Sequence, residues 1–167
     1  FLYLWDSRRG YEDPSALDVL PPNLRADLYL WVNRELIAKV PWLEDASPEF
    51  VRELVQCLKS QVALPDDDIF HVGAPGDDLY LILHGNVDIV DAAGQRICRL
   101  GAGQFFGEMA LLNNCPRNAT ARAVTWCDLY LLNREDFERT LGRFPDQQQQ
   151  IRATAAARIG GTTLTQA

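Results

Sequence analysis

Leu79-Tyr80-Leu81-Ile82-Leu83-His84-Gly85-Asn86-Val87-Asp88-Ile89-Val90-Asp91-Ala92-Ala93-Gly94-Gln95-Arg96-Ile97-Cys98-Arg99-Leu100 reads as three short apolar runs cut by two glycine-containing turns. Runs of four or five residues rich in branched and aromatic side chains, bounded by Gly and Asn, are β-strands. The same grammar extends outward from residue 62 to residue 132, with turns at Gly73-Ala74-Pro75-Gly76 and Gly101-Ala102-Gly103 and a further clear strand at Leu129-Tyr130-Leu131-Leu132. Short strands at this spacing predict a sandwich or jelly-roll barrel.

Helical spacing flanks the strands. Leu24, Leu28, Trp31, Val32, Leu36 and Val40 recur at threes and fours behind Pro21-Pro22, which predicts a helix up to Val40-Pro41-Trp42. Ser47-Pro48-Glu49 is a cap, a first-turn proline and an acidic first turn, and opens a second helix through Phe50, Leu54 and Leu58. A shorter pattern at Leu17 and Leu20 follows Asp13-Pro14-Ser15. Beyond the strands, Asn133 is a good cap for a helix marked by Phe137 and Leu141. After Pro145 a segment carries Ile151, Ala155 and Ile159 on one face and is expected to stop at Gly160-Gly161, leaving a loose tail.

The chain has 167 residues, 47% of them hydrophobic, which fits one domain, or one domain with an appendage, and a core that needs no staples. Its net charge of −7 argues against general attraction to nucleic acid. Cys57, Cys98, Cys115 and Cys127 have no C-x-x-C spacing, so a reducing compartment is expected rather than a disulfide framework or a zinc site. No run approaches the ~20 apolar residues of a membrane span. Phe1-Leu2-Tyr3-Leu4-Trp5 nonetheless starts abruptly, as if continuing a longer chain.

Charge is unevenly placed. From residue 92 to residue 127 four arginines (Arg96, Arg99, Arg117, Arg122) stand against one acid, Glu108. This is the one electropositive segment and hence a candidate anion site, although strand arginines commonly pair with neighbouring acids. Within it, Gly103-Gln104-Phe105-Phe106-Gly107-Glu108-Met109-Ala110-Leu111-Leu112 leads from a turn through a short extended piece into one helical turn. A helix start behind glycine presents unpaired N–H groups to an anion. Glu108 would repel a bare phosphate. It suits a phosphate ester of a sugar, accepting from a hydroxyl while Arg117 meets the phosphate; alternatively it pairs with a nearby arginine.

Gly103-x-x-Phe106-Gly107-Glu108-x-Ala110-Leu111-Leu112, followed by Pro116-Arg117-x-Ala119-Thr120-x-x-Ala123, resembles the phosphate-binding cassette of cyclic-nucleotide-binding domains. Gly76-Asp77-x-Leu79-Tyr80-x-Ile82-x-x-Gly85-x-Val87 is similar to that family's early strands, and residues 134–159 to its two C-terminal helices. The resemblance implies an α+β fold: an eight-stranded antiparallel jelly roll flanked by helices, with an N-terminal helical linker and a C-terminal lid helix. It gives Glu108 the ribose 2′-hydroxyl, Arg117 the exocyclic phosphate oxygens, and the amides around Gly107, Met109 and Ala110 the rest of the cyclic phosphate. Cys115 and Pro116 complete the cassette. Asn118 stands where the family often has Ser, Thr or Ala, and a Thr there is associated with reading guanine, so cAMP is expected over cGMP. Val90, Cys98 and Leu100 match strand positions that line the purine, and Arg158 and Ile159 match the base-capping positions of the last helix. All five equally suit ordinary core or surface places.

At the front, Trp5-x-Ser7-x-Arg9-Gly10, Leu20-Pro21-x-x-Leu24-Arg25 and Asn33-Arg34-Glu35-Leu36-Ile37-x-Lys39-Val40-Pro41 resemble the linker below the pore of cyclic-nucleotide-gated and hyperpolarisation-activated cation channels, bacterial-type potassium channels included. Kinase regulatory subunits and bacterial transcription activators lack that segment. The resemblance implies a linker over residues 1–45, a nucleotide-binding domain over 46–160 and a tail over 161–167. It also implies a pore domain on the same polypeptide, a homotetramer through the front helices and a place on the cytoplasmic side of a membrane. A regulatory module of a non-channel protein and an assembly domain that has lost its ligand are the alternatives. Enzymatic equipment is not visible. His71 and His84 lack the H-x-H spacing of a metal-binding jelly roll, and there is no phosphate-binding G-x-x-x-x-G-K-[ST] loop. Asn118-Ala119-Thr120 is a glycosylation sequon by coincidence.

Overall fold

The computed structural model describes residues 21–40 and 46–163. The expected helix near residue 17 and the Trp5 motif lie outside those residues. Eight strands follow two front helices and a third: β1 (Lys59–Ala63), β2 (Asp68–Phe70), β3 (Asp78–His84), β4 (Val87–Val90), β5 (Arg96–Leu100), β6 (Phe105–Phe106), β7 (Thr120–Ala123) and β8 (Cys127–Asn133). They form two four-stranded antiparallel sheets, ordered β1-β8-β3-β6 and β2-β7-β4-β5. This is the jelly roll expected from the sequence.

β3 shows why the opening run is so apolar. Leu79 and Leu81 face the helices and join Phe50, Leu54, Phe137 and Leu141 in one core. Tyr80 and Ile82 point the other way, into a second core between the sheets with Val87, Leu100, Phe106 and Ala121. A strand buried on both faces has no polar side to alternate with. β8 repeats the division, with Tyr130 and Leu132 on the helix side and Leu129 and Leu131 inside the barrel.

The helices obey their caps. In α3 (Pro48–Cys57) Ser47 accepts from the Phe50 amide at 3.3 Å, behind Pro48 in the first turn. In α5 (Arg134–Arg143; α4 follows below) Asn133 accepts from the Asp136 amide at 2.9 Å. Two expectations are corrected. The front helix is two helices, α1 (Pro22–Val32) and α2 (Arg34–Lys39), broken at Asn33. The Asn33 carbonyl accepts from the Ile37 amide at 3.0 Å, so Asn33 starts α2 in the manner of a cap residue rather than continuing α1. The last helix, α6 (Pro145–Thr163), runs through Gly160-Gly161 instead of stopping there. Glycine disfavours a helix interior by only about 1 kcal/mol, too little to end one alone.

Candidate functional site

Between β6 and β7 the chain leaves the sheets. Gly107 turns it with φ at +86° into α4 (Glu108–Asn113), and Asn114 closes the helix at φ +48°. Gly107 has no substitute: a Cβ there would lie 2.7 Å from Arg117 Nη1 and 3.0 Å from the Asp78 carbonyl. The return strand is pinned at Arg117, whose amide donates to Ala74 O at 2.9 Å and whose carbonyl accepts from the Gly73 amide at 2.7 Å.

The Arg117 side chain points inward and is 4% exposed. Nη1 donates to Gly107 O at 2.9 Å and Nη2 to Asp78 O at 2.7 Å. The guanidinium lies over the Phe70 ring at 4.1 Å and near that of Tyr80 at 5.8 Å. Its buried Nε–H has no hydrogen-bond partner among the described residues. Burial pulls its pKa below the ordinary arginine value, opposed by Tyr80, Asp78, Asp77 and Glu108; arginine stays charged at neutral pH nevertheless. A buried cation with an unused donor is costly unless something accepts from it.

The other three arginines of the basic segment do not join it. Arg99 makes a two-pronged bond to Asp88 (2.7 and 2.9 Å), Arg96 stands 4.0 Å from the same carboxylate, and Arg122 grips Asp68 (2.6 and 3.2 Å). Both acids lie outside the segment whose charge was counted, so the excess is largely cancelled across the strands. Of these four arginines, Arg117 alone lines the cavity.

That cavity, of about 160 Å³, is walled by Gly107, Glu108, Met109, Ala110, Arg117 and Asn118 on the α4 side. Cys98 and Leu100 wall the opposite side. Glu108 is 5% exposed. Val90 is buried but is not part of the wall; Ile89 is, on the same face of β4 as Val87, and a register shift separates Ile89 from Val90. Cys115 instead closes the end of α4, its amide donating to Ala110 O at 3.2 Å, and Pro116 is exposed beyond it. Arg158 and Ile159 belong to α6, but their side chains lie outside the described residues.

Sequence reading missed Phe70, Ile89, Ile97, Phe106 and Ala119 in the wall. It also missed Arg134. That side chain donates to Gly76 O at 2.9 Å and to the last carbonyls of α4, Leu111 O at 3.1 Å and Ala110 O at 3.3 Å, fastening α4 to the start of α5. A signal was present: a cation in the first turn of a helix opposes the helix dipole and needs another reason to be there.

Comparison with known proteins shows the family of the chain and agrees with its fold. The family model described as cyclic nucleotide-binding domain matches residues 61–144, which include both sheets' central strands, α4 and Arg117. The chain belongs to that family. The domain is 32% identical over 160 residues to a cyclic nucleotide-gated channel of Caenorhabditis elegans, covering 92% of this chain and 22% of the relative. It is 32% identical over 149 residues to potassium/sodium hyperpolarization-activated cyclic nucleotide-gated channel 2 of Mus musculus, covering 89% and 17%. The domain thus spans about a fifth of the length of these relatives. Among solved structures, Sp-2Cl-cAMPS bound to PKAR CBD2 matches with a TM-score of 0.69 at 27% identity, covering 85% of this chain and 94% of that one. Among the described residues of the domain no helix is long and apolar enough to cross a membrane.

Proposed function

We propose that this chain is the ligand-sensing regulatory domain of a tetrameric cation channel and that its cavity takes a 3′,5′-cyclic nucleotide, cAMP in preference to cGMP. The observation that carries the reading is the buried Arg117 guanidinium, whose Nε–H lacks an acceptor while Gly107 and Glu108 stand beside it in the same wall. A singly charged cyclic phosphate supplies that acceptor and neutralises the cation. In this reading Glu108 takes the ribose 2′-hydroxyl and the amides of Gly107, Met109 and Ala110 take the remaining phosphate oxygens. Cys98 and Leu100 flank the purine. Asn118 sits at the position that reads guanine in relatives bearing Thr. Arg158 and Ile159, on α6, close over the base as a lid.

The nucleotide is bound and not turned over, because the wall offers a clamp for the ester and no group placed to attack it. Leu24 and Trp31 are 52% and 53% exposed on α1, apolar surface suited to the same helices of neighbouring subunits beneath a pore on the same polypeptide, at the cytoplasmic face of a membrane. Closure of α6 would then move the front helices and the gate.

Calorimetric titration with both nucleotides tests the reading. Binding should be seen with cAMP tighter than cGMP, and Arg117→Ala should weaken it by roughly 1.5–3 kcal/mol, the scale of a hydrogen bond to a charged group. Glu108→Ala should weaken cAMP much more than its 2′-deoxy analogue. Absence of heat with either nucleotide would sink the reading.

A further inference from the structure

β2 contains a register shift whose product is a ring beneath the arginine. Asp68 pairs with Arg122 and Phe70 with Ala121, with an irregularity between them. In an undisturbed strand residues i and i+2 point to the same face. Here Asp68 reaches the outward, half-exposed Arg122, whereas Phe70 lines the cavity and lies 4.1 Å from the Arg117 guanidinium. Irregularities of this kind re-aim a side chain and gather beside functional sites. Phe70 is itself braced. Its centroid is 5.6 Å from Tyr80 and 5.8 Å from Phe106, and those two rings stack at 5.1 Å with 6° between their planes. Phe106 is followed directly by Gly107, whose carbonyl takes one guanidinium nitrogen.

We propose that Phe70 is a positioning residue for Arg117: its ring face fixes the plane of the guanidinium, so that Nε–H is presented to the anionic group of the ligand before the ligand arrives. The inference rests on the cyclic nucleotide reading of the cavity. Two carbonyl bonds hold the two terminal nitrogens but leave the plane free to rock about the line joining them. A ring packed on one face removes that motion, and its quadrupole replaces part of the hydration a buried cation loses. An aliphatic residue of similar size fills the volume and supplies neither effect.

The test is a cycle of wild type, Phe70→Leu, Arg117→Ala and the double variant, each titrated with cAMP, with Phe70→Tyr as the conservative control. Phe70→Leu should weaken binding about three- to thirtyfold, the range from an exposed to a desolvated cation–π contact. Phe70→Tyr should restore it, and in the Arg117→Ala background Phe70→Leu should change affinity less than about twofold. An equal loss in both backgrounds would make Phe70 a ligand contact or a fold element and overturn the proposal. So would a wild-type affinity in Phe70→Leu. A second readout needs no ligand: the Arg117 Nε–H proton, assigned by its loss in Arg117→Ala, should carry an upfield ring-current shift that disappears in Phe70→Leu and survives in Phe70→Tyr. A proton indifferent to Phe70 ends the proposal whatever the affinities. If Arg117→Ala itself binds cAMP like wild type, the cyclic nucleotide reading fails; if only Phe70→Leu does, that reading stands and Phe70 alone is acquitted.

Discussion

Arg117 and Arg122 leave the same short stretch of chain and meet opposite fates. Arg122 lies on the outer face, half-exposed, and holds Asp68 in a two-pronged bond; Arg99 does the same with Asp88. Arg117 is buried, bonded to backbone carbonyls and an aromatic face, with no carboxylate among its hydrogen-bond partners. The outer arginines are satisfied by partners that salt and water replace readily. The inner one is hydrogen-bonded to backbone carbonyls and packed on a ring, with the carboxylates of Asp78, Asp77 and Glu108 acting on its charge without a hydrogen bond to it, and its Nε–H has no acceptor among the described residues. Along the sequence the four look alike; what separates them is burial and whether the partner is a neutral carbonyl or a charged carboxylate.

The comparison can be broken most severely at Gly107. Gly107→Ala forces a side chain into a left-handed turn and against the Asp78 carbonyl and Arg117. It should cost about 3 kcal/mol of stability in denaturant titration and abolish nucleotide binding. A stable, binding-competent Gly107→Ala would mean the inner arginine is not seated by that turn. A smaller effect comes from Arg117→Lys without ligand. An ammonium cannot reach both carbonyls as a planar fork does, so stability should fall by about 1–2 kcal/mol. The matched change Arg122→Lys should leave stability nearly untouched; equal losses would erase the distinction. The smallest effect belongs to Arg99→Gln. Its hydrogen bond holds the Asp88 carboxyl below the ordinary carboxylate value. Because that folded value is depressed, the pair's contribution is present above the unfolded carboxylate pKa and is lost as pH falls through the lowered folded one. Arg99→Gln should therefore flatten the acid limb of thermal stability slightly and do nothing at neutral pH that added salt does not also do to the wild type.

Much of the fold was legible because burial wrote it plainly. β3 and β8, apolar on both faces, read as uninterrupted runs, and the caps Ser47 and Asn133 announce their helices. β2 was not legible: three residues with a register shift give no period to detect. The segment from Gly107 to Arg117 drew notice through its resemblance to the phosphate-binding cassette of cyclic-nucleotide-binding domains. The rest of the cavity wall did not, since Phe70, Ile89 and Ile97 arrive there from separate strands and are ordinary strand residues in isolation. Nor does helical spacing reveal the break at Asn33, because apolar residues continue in phase on both sides of it.

Gly103 has a mechanical consequence. It is buried in the turn before β6, at φ +82°, and a Cβ there would collide with the Lys39 carbonyl at the end of α2. At the other end of the two-residue β6 stands Gly107, against Arg117. The end of α2 and the arginine thus approach opposite ends of one short segment, whose Phe105 and Phe106 are anchored in the two cores. Neither end has room for a side chain, so a bulkier residue at position 103 or 107 would have to shift this short strand or the groups that flank it.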